Sequence, residues 1–264
     1  MNIFLRELRA NFKSLLIYSL IVILLTIVGF AKYQAYADNP EMLALLDSMP
    51  KAMLDAFNME AFNLTTLTGF YGVMYTYYAL ILGIAAIMWG SDIINKEERY
   101  KTVEFLLVLP VTRSHVVTSK SLAALVHNIL LLAITWGTVR LVSRPYHPGV
   151  EFLTFLNKSA LGLFILQLVF LTVGLFLGVA MKEYRRVGSV AIAVILLTYF
   201  FSITSVLNEK LAFFKYLSPF KYFDAGALYR NGHYASLYLA LSAPIIVVSM
   251  VGAYVAYNRR DLYV

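Results

Sequence analysis

Six long apolar blocks, separated by shorter polar, charged or aromatic stretches, make up most of the chain. They run from Leu15 to Phe30, Phe70 to Trp89, Leu122 to Leu141, Ala160 to Met181, Val187 to Leu207 and Leu237 to Tyr257. A helix needs about 20 apolar residues to cross the hydrocarbon core of a bilayer. Within hydrocarbon only helices and closed barrels satisfy their own backbone. The pattern therefore predicts an all-α membrane protein with six transmembrane helices, forming one transmembrane domain over residues 1–264. Arg6, Arg9 and Lys13 followed by an apolar run and Ala35-Tyr36-Ala37 imitate a secretory leader. The run is slightly longer than such a leader carries, so it reads as the first span.

The segments between the blocks have patterns of their own. In residues 2–14, Phe4, Leu8, Phe12 and Leu15 share one helical face and Arg6, Arg9 and Lys13 the other. This fits an N-terminal helix lying in the membrane interface or a plain extension of the first span. Met42, Leu46, Met49, Met53 and Phe57 recur at helical spacing, with Pro50 as a break or kink. Asn63-Leu64-Thr65 matches a glycosylation acceptor, a pattern too short to separate from chance. Residues 208–236 are rich in aromatics and interrupted by Pro219, which predicts an interfacial or partly re-entrant hairpin between spans five and six.

Between spans two and three, Val103, Leu106, Leu107 and Pro110 fall on one helical face, while Glu97, Lys101 and Glu104 fall away from it. Pro110 stops this short helix, and Ser114 is placed to cap the next one. The apolar ridge has two uses: lying flat on lipid, or docking into the groove of a soluble partner.

The net charge is +7, from 22 Lys and Arg against 15 Asp and Glu. With the N-terminus inside, thirteen of the 22 basic residues fall in the inner segments 1–14, 90–121, 182–186 and 258–264. The first outer loop is acidic. The positive-inside rule then puts both termini in the cytoplasm. The basic residues cluster beside apolar blocks and form no nucleic-acid motif. Cysteine is absent, which removes disulfide frameworks and thiolate metal sites.

Candidate chemistry is sparse. His115, His127, His147 and His233 show no zinc-protease spacing, and no Gly-x-Ser-x-Gly elbow occurs. His127 falls just inside the third span, where an ionisable group marks a function or simply hydrogen-bonds. Tyr71, Tyr75 and Tyr78 share one face of the second span, and Gln167 lies within the fourth. Tyr75, Tyr78 and Gln167 are candidates for lining a path, against the plainer reading of helix packing. Gly174 and Gly178 form a Gly-x-x-x-Gly pair suited to close helix contact.

Glu98, Lys101-Thr102, Glu104, Leu106-Leu107, Pro110-Val111-Thr112-Arg113 and Lys120 resemble the signature of the ABC type-2 permease family. Thr112 stands where Ser is commoner and Lys101 where Gly is common. Ser218-Pro219-Phe220 and Arg259-Arg260-Asp261 are similar to further family features, and span number and loop sizes agree along the chain.

The resemblance implies a permease of an ATP-driven exporter in the cell membrane. Two such chains, identical or related, would form a dimer above two copies of a separate ABC ATPase. The segment between spans two and three would be the coupling helix. Leu106 and Leu107 would fill the ATPase groove; Glu98, Lys101, Thr102, Glu104, Pro110 and Arg113 complete the contact. ATP and Mg would sit on the partner, because this chain has no Gly-rich loop followed by Lys and Ser or Thr; no cofactor and no metal is expected on the chain itself. Membrane lipid is the other expected partner. Rival readings are an ion-driven secondary transporter or channel subunit, marked by flux without ATP, and a membrane-embedded lipid-modifying enzyme, marked by turnover of the chain alone. No internal repeat supports the first, and no paired carboxylates near the bilayer support the second.

Overall fold

The computed structural model describes residues 2–37, 48, 54, 62–100, 111–207 and 209–259, with the side chains of Glu98, Tyr100 and Glu209 left out. Among these residues there are six long helices and no strands. They are α1 (Ile3–Tyr36), α2 (Leu67–Tyr100), α3 (Arg113–Val142), α4 (Val150–Ala180), α5 (Tyr184–Leu207) and, last in the chain, α8 (Ser236–Arg259). Two short helices, α6 (Pro219–Tyr222) and α7 (Ala225–Asn231), precede α8. All six long helices are long and apolar enough to span a membrane.

The helices run past the apolar blocks because hydropathy marks lipid thickness, whereas a helix ends where its backbone bonding does. With 34 residues, α1 is about 51 Å long. It begins at Asn2, whose side chain accepts from the Phe4 N–H at 3.0 Å. There is no break near residue 14, so the amphipathic leader is a plain helical extension of the first span. Its inward stripe is Ile3, Glu7, Leu15, Ser19, Val22, Thr26, Phe30 and Tyr33. This lies one position round from the face expected in the sequence, and Phe12 points outward.

The centre of the bundle is the α2–α4 pair. A Cβ on Gly174 would meet the Ile87 carbonyl at 2.4 Å, and one on Gly90 the Leu171 carbonyl at 2.3 Å. A Cβ on Gly178 would lie 2.7 Å from the Ser91 carbonyl. The Gly-x-x-x-Gly pair thus seats one backbone directly on another. Around this pair, α1 packs on α3, α5 lies along α2, and α8 lies along α4. In the most apolar stretch of each helix, 67% of α2 is buried but only 11% of α5 and of α8. The faces of α5 and α8 carrying Leu197, Phe200, Val248 and Val251 are exposed.

One end of the bundle, called here the charged end, holds the starts of α1, α3 and α5 and the ends of α2 and α8. At the opposite end, α6 and α7 turn inward. Phe220, Tyr222 and Phe223 are buried, while Phe213, Tyr216 and Tyr229 stay exposed. Asp224 caps α7 by accepting from the Ala227 N–H at 2.8 Å, and Gly232 ends it at φ 72°, a left-handed position suited to glycine. Met42, Leu46, Met49, Met53 and Phe57, which carry the amphipathic element expected over 40–57, lie outside the described residues. Asn63 holds a turn: its Oδ1 accepts from the Thr65 backbone and hydroxyl at 2.9 and 2.7 Å.

Candidate functional site

The charged end carries the densest polar cluster. The first turns of α1 supply Arg6 and Glu7, the last turns of α2 supply Lys96 and Glu97, and the second turn of α3 supplies Lys120. One Glu97 oxygen accepts from Arg6 at 2.6 Å, and the other pairs with Lys120. Lys120 also donates to the Ile93 carbonyl at 2.6 Å. Glu7 pairs with Arg6 at 3.0 Å and with Lys96. The side chains of Glu7 and Lys120 are fully buried and that of Glu97 is 5% exposed. Buried charges persist only when paired and hydrogen-bonded, and each charge here meets an opposite one. The cluster therefore fixes the start of α1, the end of α2 and the start of α3 relative to one another.

These ends are the roots of the segment between α2 and α3. Lys101, Thr102, Glu104, Leu106, Leu107 and Pro110 lie outside the described residues, and Glu98 is placed only by its backbone in α2. At the far root, Thr112 caps α3, its hydroxyl accepting from the His115 N–H at 3.2 Å. The expected cap, Ser114, is inside the helix. Thr112 is already extended (φ −74°, ψ 153°) and reaches the first free N–H before Ser114 could. Arg113 points to α8, donating to the Tyr257 and Asn258 carbonyls at 3.2 Å each, where a cation suits a helix C-terminus. Thr118 and Tyr254 share a hydroxyl bond of 2.7 Å just beyond.

The sequence pattern placed Glu97 on a solvated face and singled out neither Glu7 nor Lys96. One signal was present: Glu7 follows Ile3 by four residues and precedes Leu15 by eight, so it sits on the buried stripe.

The intramembrane candidates separate. Tyr78 hydrogen-bonds Thr26 at 3.0 Å between α2 and α1. The Gln167 amide donates to the Asn128 carbonyl at 3.3 Å between α4 and α3. Tyr71 bonds Ser159 at 2.7 Å between α2 and α4. Of the three path candidates, Tyr75 lines a narrow pocket bounded by Tyr199, Ser202, Phe220, Lys221 and Asp224. Its buried hydroxyl makes no hydrogen bond of ordinary geometry. Tyr234 lies beside it, and burial raises the Tyr234 phenol well above the usual range. His127 is buried, its Nδ1 2.8 Å from the Ala123 carbonyl. A carbonyl only accepts, so Nδ1 carries the proton. That is the hydrogen-bonding reading of this histidine.

The family profile described as ABC-2 family transporter protein matches residues 1–262. No curated protein matches the chain.

Proposed function

The chain belongs to the ABC-2 transporter family, and on that premise we propose that it is the membrane subunit of an ATP-driven exporter. It is a multi-pass membrane protein and a component of transport. In our reading a separate P-loop ATPase, in two copies, holds ATP and Mg at the charged end. Two permease chains, identical or related, stand above it in the plasma membrane with both termini cytoplasmic.

Closure of the ATPase on ATP pushes the segment 97–110. Leu106 and Leu107 fill its groove, while Glu98, Lys101, Thr102 and Glu104 set the register and Pro110 ends the helix. ATP shifts the permease between inward- and outward-open states only if the ATPase contacts the two states differently. The observation that carries this reading is the buried ion-pair cluster at both roots of that segment. A push on the segment meets a stiff joint of α1, α2 and α3 instead of a loose loop. Arg113 extends the joint to α8.

The test is to isolate the tagged chain from its membrane in mild detergent and identify what comes with it. A P-loop ATPase is expected, and is expected to be lost when Leu106 and Leu107 are both changed to Asp. A wild-type chain that comes out alone, or a variant that keeps both its ATPase and its transport, overturns the assignment.

A further inference from the structure

At the charged end, a groove of about 450 Å³ runs between the first turns of α1 and the last turns of α2. Small-ligand clefts measure roughly 300–1,000 Å³. Three cations line it, Lys13, Lys96 and Arg99, against one carboxylate, Asp92. Lys96 is nine-tenths buried. Asp92 is taken by Arg99 at 2.6 Å. Lys96 belongs to the buried cluster, which among the described residues holds three cations, Arg6, Lys96 and Lys120, against Glu7 and Glu97. Counted once each among the described residues, the cations Arg6, Lys13, Lys96, Arg99 and Lys120 exceed the carboxylates Glu7, Asp92 and Glu97 by two, and the excess lies on the groove side, since Arg6 and Lys120 are matched by Glu7 and Glu97.

Ile17 also lines the groove and is 60% exposed. It continues into the exposed apolar strip of Leu16, Leu20 and Leu24 on α1. A cationic pocket that opens onto an apolar face at membrane depth fits one class of molecule: an anion carrying hydrocarbon tails.

We propose that this groove binds the phosphate headgroup of an anionic phospholipid, held by Lys13, Lys96 and Arg99, with the acyl chains along α1. Basic pockets between spans take lipid phosphates through this combination of charge and adjoining apolar surface. The bound phosphate offsets the excess positive charge beside Lys96. Binding belongs to this chain alone and does not depend on an ATPase partner, so its failure and the failure of the exporter reading are separate results.

The chain carries its own reporter. It has two tryptophans. Trp89 donates to Ser14 Oγ at 3.0 Å and stacks edge-on with Tyr18 at 5.5 Å, and both partners line the groove. Trp136 lies on α3, 40% exposed, and is removed by Trp136→Phe. That full-length variant is placed in nanodiscs of phosphatidylcholine, and Trp89 quenching is titrated with brominated phosphatidylglycerol or brominated phosphatidylcholine. The brominated anionic lipid should quench at a mole fraction lower by about five-fold per cation engaged. Lys13→Gln with Arg99→Gln should remove most of that preference, and Lys13→Glu alone should reduce it if the double variant does not fold. Equal quenching by the two lipids, or a preference unchanged in these variants, overturns the proposal. So does loss of the preference with excess inorganic phosphate alone, which would mean a site for a free anion.

Discussion

Changing Glu97 to glutamine removes one charge and almost no volume from the buried cluster. Lys120 would keep the Ile93 carbonyl at 2.6 Å but lose the one counter-charge it touches among the described residues. Arg6 would keep Glu7 at 3.0 Å. With the Lys120 side chain 0% exposed, stranding the ammonium should cost about 3–5 kcal/mol. At about 2–4 °C per kcal/mol for a chain of this size, unfolding in mild detergent should begin roughly 6–20 °C lower. The control is Asp92→Asn. It breaks the Asp92–Arg99 pair, whose side chains are 34% and 44% exposed, and an exposed pair contributes about 0–1 kcal/mol. Adding Lys120→Met to Glu97→Gln should restore most of the loss, because a buried pair replaced by apolar volume is often neutral or stabilising. The reasoning is refuted if Glu97→Gln shifts the transition no more than Asp92→Asn does, or if the double variant is no better than the single one.

The glycine seam offers an all-or-none contrast. Gly174→Ala drives a Cβ to 2.4 Å from the Ile87 carbonyl and should sharply reduce the yield of monodisperse protein, whereas Gly137→Ala, with nothing within 4 Å, should leave the yield unchanged. The two interior tyrosines should part company in thermal stability. Tyr78→Phe gives up the 3.0 Å bond to Thr26 and should lose about 1 kcal/mol, while Tyr75→Phe removes a hydroxyl with no good partner and should be neutral or slightly stabilising. A Tyr75→Phe variant that transports poorly while keeping full stability would favour the path-lining role.

The six spans were legible because a bilayer demands long apolar runs, and no tertiary detail changes that demand. Helix ends were not legible in the same way. Polar residues such as Lys13 and Asp92 bounded the apolar blocks, yet the backbone continues helical through both. The direction of the α1 stripe was missed by one position because Phe4, Leu8 and Phe12 outweigh Ile3 and Glu7 in apolar area. Which of these faces turns inward is decided by Lys96 on another helix. Tyr75 and Tyr78 illustrate the same gap: three residues apart on one helix, Tyr78 meets the Thr26 hydroxyl of α1 in good hydrogen-bond geometry, whereas Tyr75 lies beside Tyr234 without one. The Gly174 and Gly178 seam was readable, since small residues four apart leave few alternatives to close contact. In the segment 101–110 the apolar ridge of Val103, Leu106 and Leu107 and its stop at Pro110 were legible from spacing.

The α2–α4 seam has a mechanical consequence. Where side chains mesh, a helix can shift by changing rotamers; where carbonyl sits on glycine there are none to change. Sliding α4 along α2 would drive Gly174 and Gly178 off their footing at Ile87 and Ser91 onto bulkier neighbours. The two helices should therefore travel as a single beam through any cycle of opening and closing. The displacement must then be taken up at the thinly packed flanks of α5 and α8. A cross-link placed across the seam should leave motion unaffected, while one tying α5 to α2 should arrest it.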